Sequence, residues 1–167
     1  MTRLVMGFLA LTILAVPAGA AAQDSEWNRY TLEELGGVYV SSEIGDACTA
    51  AGVTDAALRT EAEGVLTTAE VELLSETGML ANPALPELRV SVDCAPTDGS
   101  VAYVVSIRMH QAVQMVRDPQ ITLSEGVTWF ATAMGVSSAS DVAAAVAAAV
   151  TEQIGAFAVA YAEANAG

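Results

Sequence analysis

Apolar and polar residues alternate one by one over several stretches of this chain and recur every three or four positions over two others. These two periods divide it into strands and helices. After Gly36 and Gly37, "VYVSSEI" sets Val38 and Val40 against Tyr39 and Ser41, the pattern of a first strand. "DACTAAGV" then reads as a turn-rich loop. From Thr54 the period lengthens: Leu58, Ala62, Val65, Ala69 and Leu73 share one face and predict a helix running to Gly78. Thr54 is its expected N-cap, Asp55 suits the first turn, Gly64 is a weak point and Gly78 the stop. Glu61, Glu63, Glu70 and Glu72 fall on the opposite side, as a solvated face.

Beyond Pro83 and Pro86 the alternation returns. Leu88, Val90, Val92 and Cys94 face one way, with Arg89, Ser91 and Asp93 facing the other. The turn "APTDGS" leads into a longer run with Val101, Tyr103, Val105, Ile107, Met109, Val113 and Met115 at apolar odd positions. Ser106, Arg108, His110 and Gln114 occupy the even side, and a bend is expected near Gln111. Together these runs predict a hairpin with one apolar side. A further strand places Ile121, Leu123, Val127, Trp129, Ala131 and Ala133 inward against Thr122, Ser124, Thr128 and Thr132. Glu125 beside Gly126 interrupts it and signals a bulge or an exposed edge. Last comes a helix whose stripe is Val142, Val146, Val150, Ile154, Phe157 and Tyr161, with Ser138 and Asp141 arranged as a capping box. Glu152, Gln153 and Gly155 interrupt it as a membrane span. The segment 23–34 shows no clear period and is expected to be an extended lead-in, with Trp27 and Tyr30 against an edge of the core.

The order β-α-β-β-β-α, with every strand apolar on one side, predicts an α+β open-faced sandwich. Its sheet would have four mostly antiparallel strands, with two helices packed on one face. In a strand–helix–strand unit with a right-handed crossover, the C-terminal ends of both strands lie at the same end of the sheet. That arrangement would carry Cys48 toward Cys94.

The N-terminus places this domain in a compartment. Arg3, the apolar run "LVMGFLALTILAV", Pro17 and the small residues "AGAAA" have the layout of a secretory signal peptide over residues 1–22, cut after Ala20 or Ala22. Leu4–Val16 is too short for the roughly 20 residues that span a bilayer, so no direct membrane insertion is expected once the signal is gone. No Cys closely follows the run, so a lipid-modified lipoprotein cysteine is not expected. Residues 23–167 then form a single domain, periplasmic or secreted. Two cysteines far apart in an exported chain are expected to form a structural disulfide, Cys48 to Cys94, rather than a metal or redox motif.

Charge and chemistry narrow the function. The net charge is −14 and all six basic residues are Arg, a balance that repels phosphate backbones and anionic lipid surfaces, so no nucleic-acid partner is expected. Phosphate-binding loops, nucleophile elbows, paired histidines and closely spaced cysteines are missing from the sequence, and no cofactor or metal is called for. "DCAPTDGS" lacks the alternating oxygen ligands and closing Glu of a calcium loop. His110, the one imidazole, is expected to face solvent from the polar side of its strand. With Arg89 and Arg108 it would make a small positive zone on that side of the sheet, the candidate binding residues of the domain. These readings converge on a non-catalytic domain that binds an envelope protein, an accessory subunit of an envelope or membrane-bound assembly. Two alternatives stand beside it: a carrier that holds a small apolar ligand between helices and sheet, and a small hydrolase or transferase using His110 with Asp93 or Glu125.

Overall fold

The computed structural model describes residues 25–166, and the signal segment expected at 1–22 lies outside them. In chain order the elements are α1 (Glu26–Tyr30), β1 (Tyr39–Ile44), α2 (Asp46–Ala50), α3 (Asp55–Thr68), α4 (Glu76–Ala81), β2 (Glu87–Thr97), β3 (Ser100–Gln114), β4 (Thr122–Ser138) and α5 (Val142–Ala164). The strands form one open sheet in the order β1-β2-β3-β4. β1 and β2 run parallel, while β2–β3 and β3–β4 are antiparallel, so the sheet is mixed. The chain is an α+β fold, and its expected strand–helix–three strands–helix order is present, with three short helices added.

The alternation explains the packing. Val38, Val40, Leu88, Val90, Val92, Val105, Ile107, Met109, Trp129 and Ala131 all lie at or near zero exposure on one face of the sheet. Against that face lie α3, through Leu58, Ala62 and Leu66, and α5, through Val142, Val146, Val150, Ile154 and Phe157, and the two helices also pack on each other. Trp129 and Phe157 meet edge to face at 5.2 Å between ring centroids. Each large apolar side chain hidden this way contributes about 1.5–3 kcal/mol. By length and hydropathy alone α5 could cross a membrane, but its apolar stripe is buried against this sheet, which makes it the core helix.

Several local expectations are corrected. The segment 23–34 is not simply extended: Ser25 caps α1, accepting from the Asn28 amide. Trp27 and Tyr30 are largely exposed rather than packed at the core edge, a place taken by the fully buried Leu32 and the nearly buried Leu35. The loop after β1 winds into α2, which carries the buried Cys48, disulfide-bonded to Cys94 across a sequence separation of 46. A closed loop of that size stabilises the fold by roughly 4 kcal/mol in the chain-entropy model.

The first long helix ends at Thr68, not at Gly78. Its buried stripe is Leu58, Ala62 and Leu66, whereas Ala69 and Leu73 are exposed. The hydroxyls of Thr67 and Thr68 bond back to the carbonyls of Glu63 and Gly64, and Glu70 turns the chain with φ 60°. Beyond it Val71 is buried, and the Val38 amide donates to the Glu72 carbonyl at 2.9 Å, with the Leu74 amide donating back to Val38. Gly37 makes this approach feasible: its φ is 120°, and a Cβ there would come within 2.7 Å of the Glu72 carbonyl oxygen. Gly78 sits inside α4, where its amide donates to the capping hydroxyl of Ser75. At α5 the N-cap is Asp141, and Ser138 donates to its carboxylate instead of capping the helix backbone.

Candidate functional site

Both long helices lie on one side, so among the described residues the other face of the sheet carries no long helix, and Val104, Arg108, Met134 and Val136 stand exposed on it. Directly paired residues share a face, so the register can be read across it in rows. Tyr39, Glu87, His110 and Val127 form the first row; Ser41, Arg89, Arg108 and Phe130 the second; Glu43, Ser91, Ser106 and Thr132 the third. Asp93, Val104 and Met134 follow, and then Ala95, Ala102 and Val136. The face is thus charged at one end and apolar at the other.

The sequence brought Arg89, Arg108 and His110 together as a positive zone, and the structure places them in adjacent rows. Their environment is nevertheless not positive. Arg89 meets three carboxylates: Glu87 at 2.8 Å, and Glu43 and Glu125 each at 3.6 Å. The Glu87 contact is bidentate, with Nε donating at 3.1 Å and Nη2 at 2.8 Å, and Ser41 donates to the same carboxylate. Burial alone would raise the Glu87 pKa; hydrogen bonds from Arg89 and Ser41, with the charges of Arg89 and His110, outweigh it and hold the carboxyl below its ordinary value. The Arg89 guanidinium is held charged in turn by its hydrogen bonds to Glu87. Arg108, directly opposite Arg89, is exposed and makes no ion pair among the described residues.

His110 does not face solvent as its parity suggested. It is 8% exposed, and neither ring nitrogen has a hydrogen-bond partner. The His110–Asp93 pairing also fails on position. Asp93 stands three rows away, roughly 20 Å at the rise of an extended strand. Glu125 is engaged by Arg89, and no hydrogen bond links it to His110. No group of three or more His, Cys, Asp or Glu able to hold a metal occurs among the described residues.

The interruption at Glu125–Gly126 does mark an irregular ladder. The β3–β4 register shifts between Met109 and His110 and again between Gln111 and Val113. Val127 is thereby turned to the open face beside His110, and with Ile121 and Leu123 it is exposed instead of pointing inward. Gln111 is buried and donates through Nε2 to the Thr31 carbonyl and the Thr128 hydroxyl, tying the shifted segment to the loop after α1.

The apolar end of the face was missed in the sequence. Met134 is 73% exposed and Val136 70%, with Val104 opposite Met134 also exposed. Their even positions put them on the side read as polar, so parity alone could have found them. A shallow hollow of about 440 Å³ runs along these residues, from Asp93 and Ala95 to Val136. A wider groove, about 680 Å³, lies on the outer side of the helices between α3 and α5, floored by Gly64, Val65, Gly155 and Ala158. The space between helices and sheet, where the carrier reading puts a ligand, is occupied by Trp129, Phe157, Met109 and Leu58, each at most 2% exposed.

No family model and no curated protein matches this chain. Among solved structures it is similar to a dodecameric PelC variant from Paraburkholderia phytofirmans, with 13% identity and a TM-score of 0.43 over 75% of this chain and 87% of that one.

Proposed function

We propose that this chain is an exported, non-catalytic binding domain, periplasmic or secreted, that docks an envelope protein on the uncovered face of its sheet as an accessory subunit of an envelope or membrane-bound assembly. The observation that carries the reading is the exposed apolar set Val104, Met134 and Val136 on a sheet face that neither long helix covers among the described residues. Contiguous apolar side chains left in water on a folded domain mark interaction surfaces. The Cys48–Cys94 disulfide is compatible with an oxidising compartment outside the cytoplasm. Arg108, on the same face and without an ion pair among the described residues, offers an acidic group of the partner a bidentate contact.

The test is crosslinking of the tagged protein in its native cells, followed by mass spectrometry of what accompanies it, with Val104→Glu as the surface variant. One stoichiometric envelope protein, lost in Val104→Glu, is the expected result. Recovery of the protein alone, or a partner indifferent to Val104→Glu, would remove this reading.

A further inference from the structure

β4 is the longest strand of the sheet, 17 residues, and among the described residues it pairs only with β3. An edge strand presents a row of free amides and carbonyls, and folded proteins blunt such edges with charges, prolines, bulges or covering segments. The first part of β4 is blunted in these ways. Glu125 carries charge, both register shifts fall there, and the Asn28 side chain donates to the Thr128 carbonyl at 2.6 Å, laying α1 against the strand. From Trp129 onward the devices stop: "WFATAMGVSS" holds no charge and no proline and keeps continuous register with β3. A smooth, uncharged edge with β-branched and aromatic residues is a surface for strand addition.

The charge pattern indicates what adds to it. On a chain of net charge −14, two copies that met at most places would bring carboxylates together. Along β4 the nearest acids are Glu125 and Asp141, one on each side of the uncharged stretch. We infer that the Trp129–Gly135 edge of β4 pairs antiparallel with the same edge of a second copy, about a two-fold axis passing by Thr132. In that register Glu125 lies level with Ala139 of the other copy and Asp141 with Leu123, so no carboxylate faces another. An axis one residue further, at Ala133, would set Glu125 against Asp141. The Thr132 axis also sets Met134 across from Phe130 of the second copy, a sulfur–aromatic contact that covers the exposed methionine. Both open faces then lie on one side of a continuous eight-stranded sheet. This pairing is independent of any envelope partner.

The experiment is sedimentation velocity on protein obtained by expressing the full chain with export, over a concentration series from about 1 to 100 μM. A monomer–dimer equilibrium is expected, weakened about tenfold or more by Met134→Lys. Thr132→Cys, mildly oxidised, should give a disulfide-linked dimer, whereas Val127→Cys, exposed on the blunted part of the same strand, should not. A monomer at every concentration overturns the proposal and leaves the edge for a strand of a different protein. So does a dimer that Met134→Lys leaves unchanged. Equal crosslinking of the two cysteine variants overturns the register. The Val104→Glu variant, altered on β3 beside Met134 but outside the backbone edge that pairs, should keep the Thr132→Cys crosslink, which separates this inference from the docking reading above.

Discussion

Tyr103 lies over Gly135 on the helix side of the β3–β4 ladder, so closely that a Cβ at position 135 would come within 2.5 Å of the phenolic oxygen. A glycine inside a strand weakens it by leaving nothing to pack, and here the ring of the directly opposite residue fills the vacant place. Gly135→Val should push the ring off the ladder and cost about 1–3 kcal/mol, the usual penalty of overpacking. Gly135→Ala should cost less, because the hydroxyl end of the ring is the part that must swing aside. Urea denaturation of the two variants checks the order, and equal stability of Gly135→Val and the parent protein would contradict the packing.

The end of α3 can be tested by two leucines. Leu66 is fully buried and Leu73 is 37% exposed, although the helical period alone gives Leu73 a place on the inward stripe. Leu66→Ala should lower stability by roughly 2–5 kcal/mol and Leu73→Ala by under about 1 kcal/mol. The reverse ranking in chemical denaturation would mean that the helix continues past Thr68.

Glu87 makes stability depend on acid. Its folded-state pKa lies below its unfolded value, so its contribution is complete above the ordinary glutamate range, about pH 4.3, and fades as pH falls through the depressed folded value. Glu87→Gln should therefore lower the melting temperature at pH 7, with the difference from the parent shrinking below about pH 4. A gap that stays constant between pH 7 and pH 3 would show that the carboxylate charge is not what Arg89 recognises.

His110 leads to an unusual expectation for a lone histidine. Its ring is buried with both nitrogens unbonded, and an unsatisfied buried polar group costs about 1–3 kcal/mol. His110→Leu, close in volume and without polar atoms, should hold or raise the urea midpoint and leave partner capture intact. A clear loss of binding without loss of stability would instead place the imidazole in a working site.

What the sequence disclosed and what it concealed divide along a physical line. Leu88, Val90 and Val92 paired with Met109, Ile107 and Val105 were legible because an unbroken antiparallel ladder writes a period of two into both strands. Val127 was not, since its side is decided by the register shifts against β3, a property of two strands together. The helix stripe as far as Ala62 followed from its own period. Its end depended on Glu72 pairing with Val38, a distant partner that local spacing does not encode. On the open face, Arg89 and Arg108 were placed correctly in the sheet. Yet the acids around Arg89 come from three strands, Glu43 on β1, Glu87 on β2 and Glu125 on β4, so the sign of the zone could be known only after assembly. The burial of His110 likewise depends on its neighbours, not on its own position in the alternation.

The Cys48–Cys94 bond encloses α3 and α4 in a covalent ring, because both lie between the two cysteines. A protease that cuts the exposed connection near Glu70 and Glu72 therefore opens the ring without releasing either half. The nicked chain would run as one species on a non-reducing gel and part into two only when a thiol is added, and in an oxidising compartment it would remain one molecule after the cut.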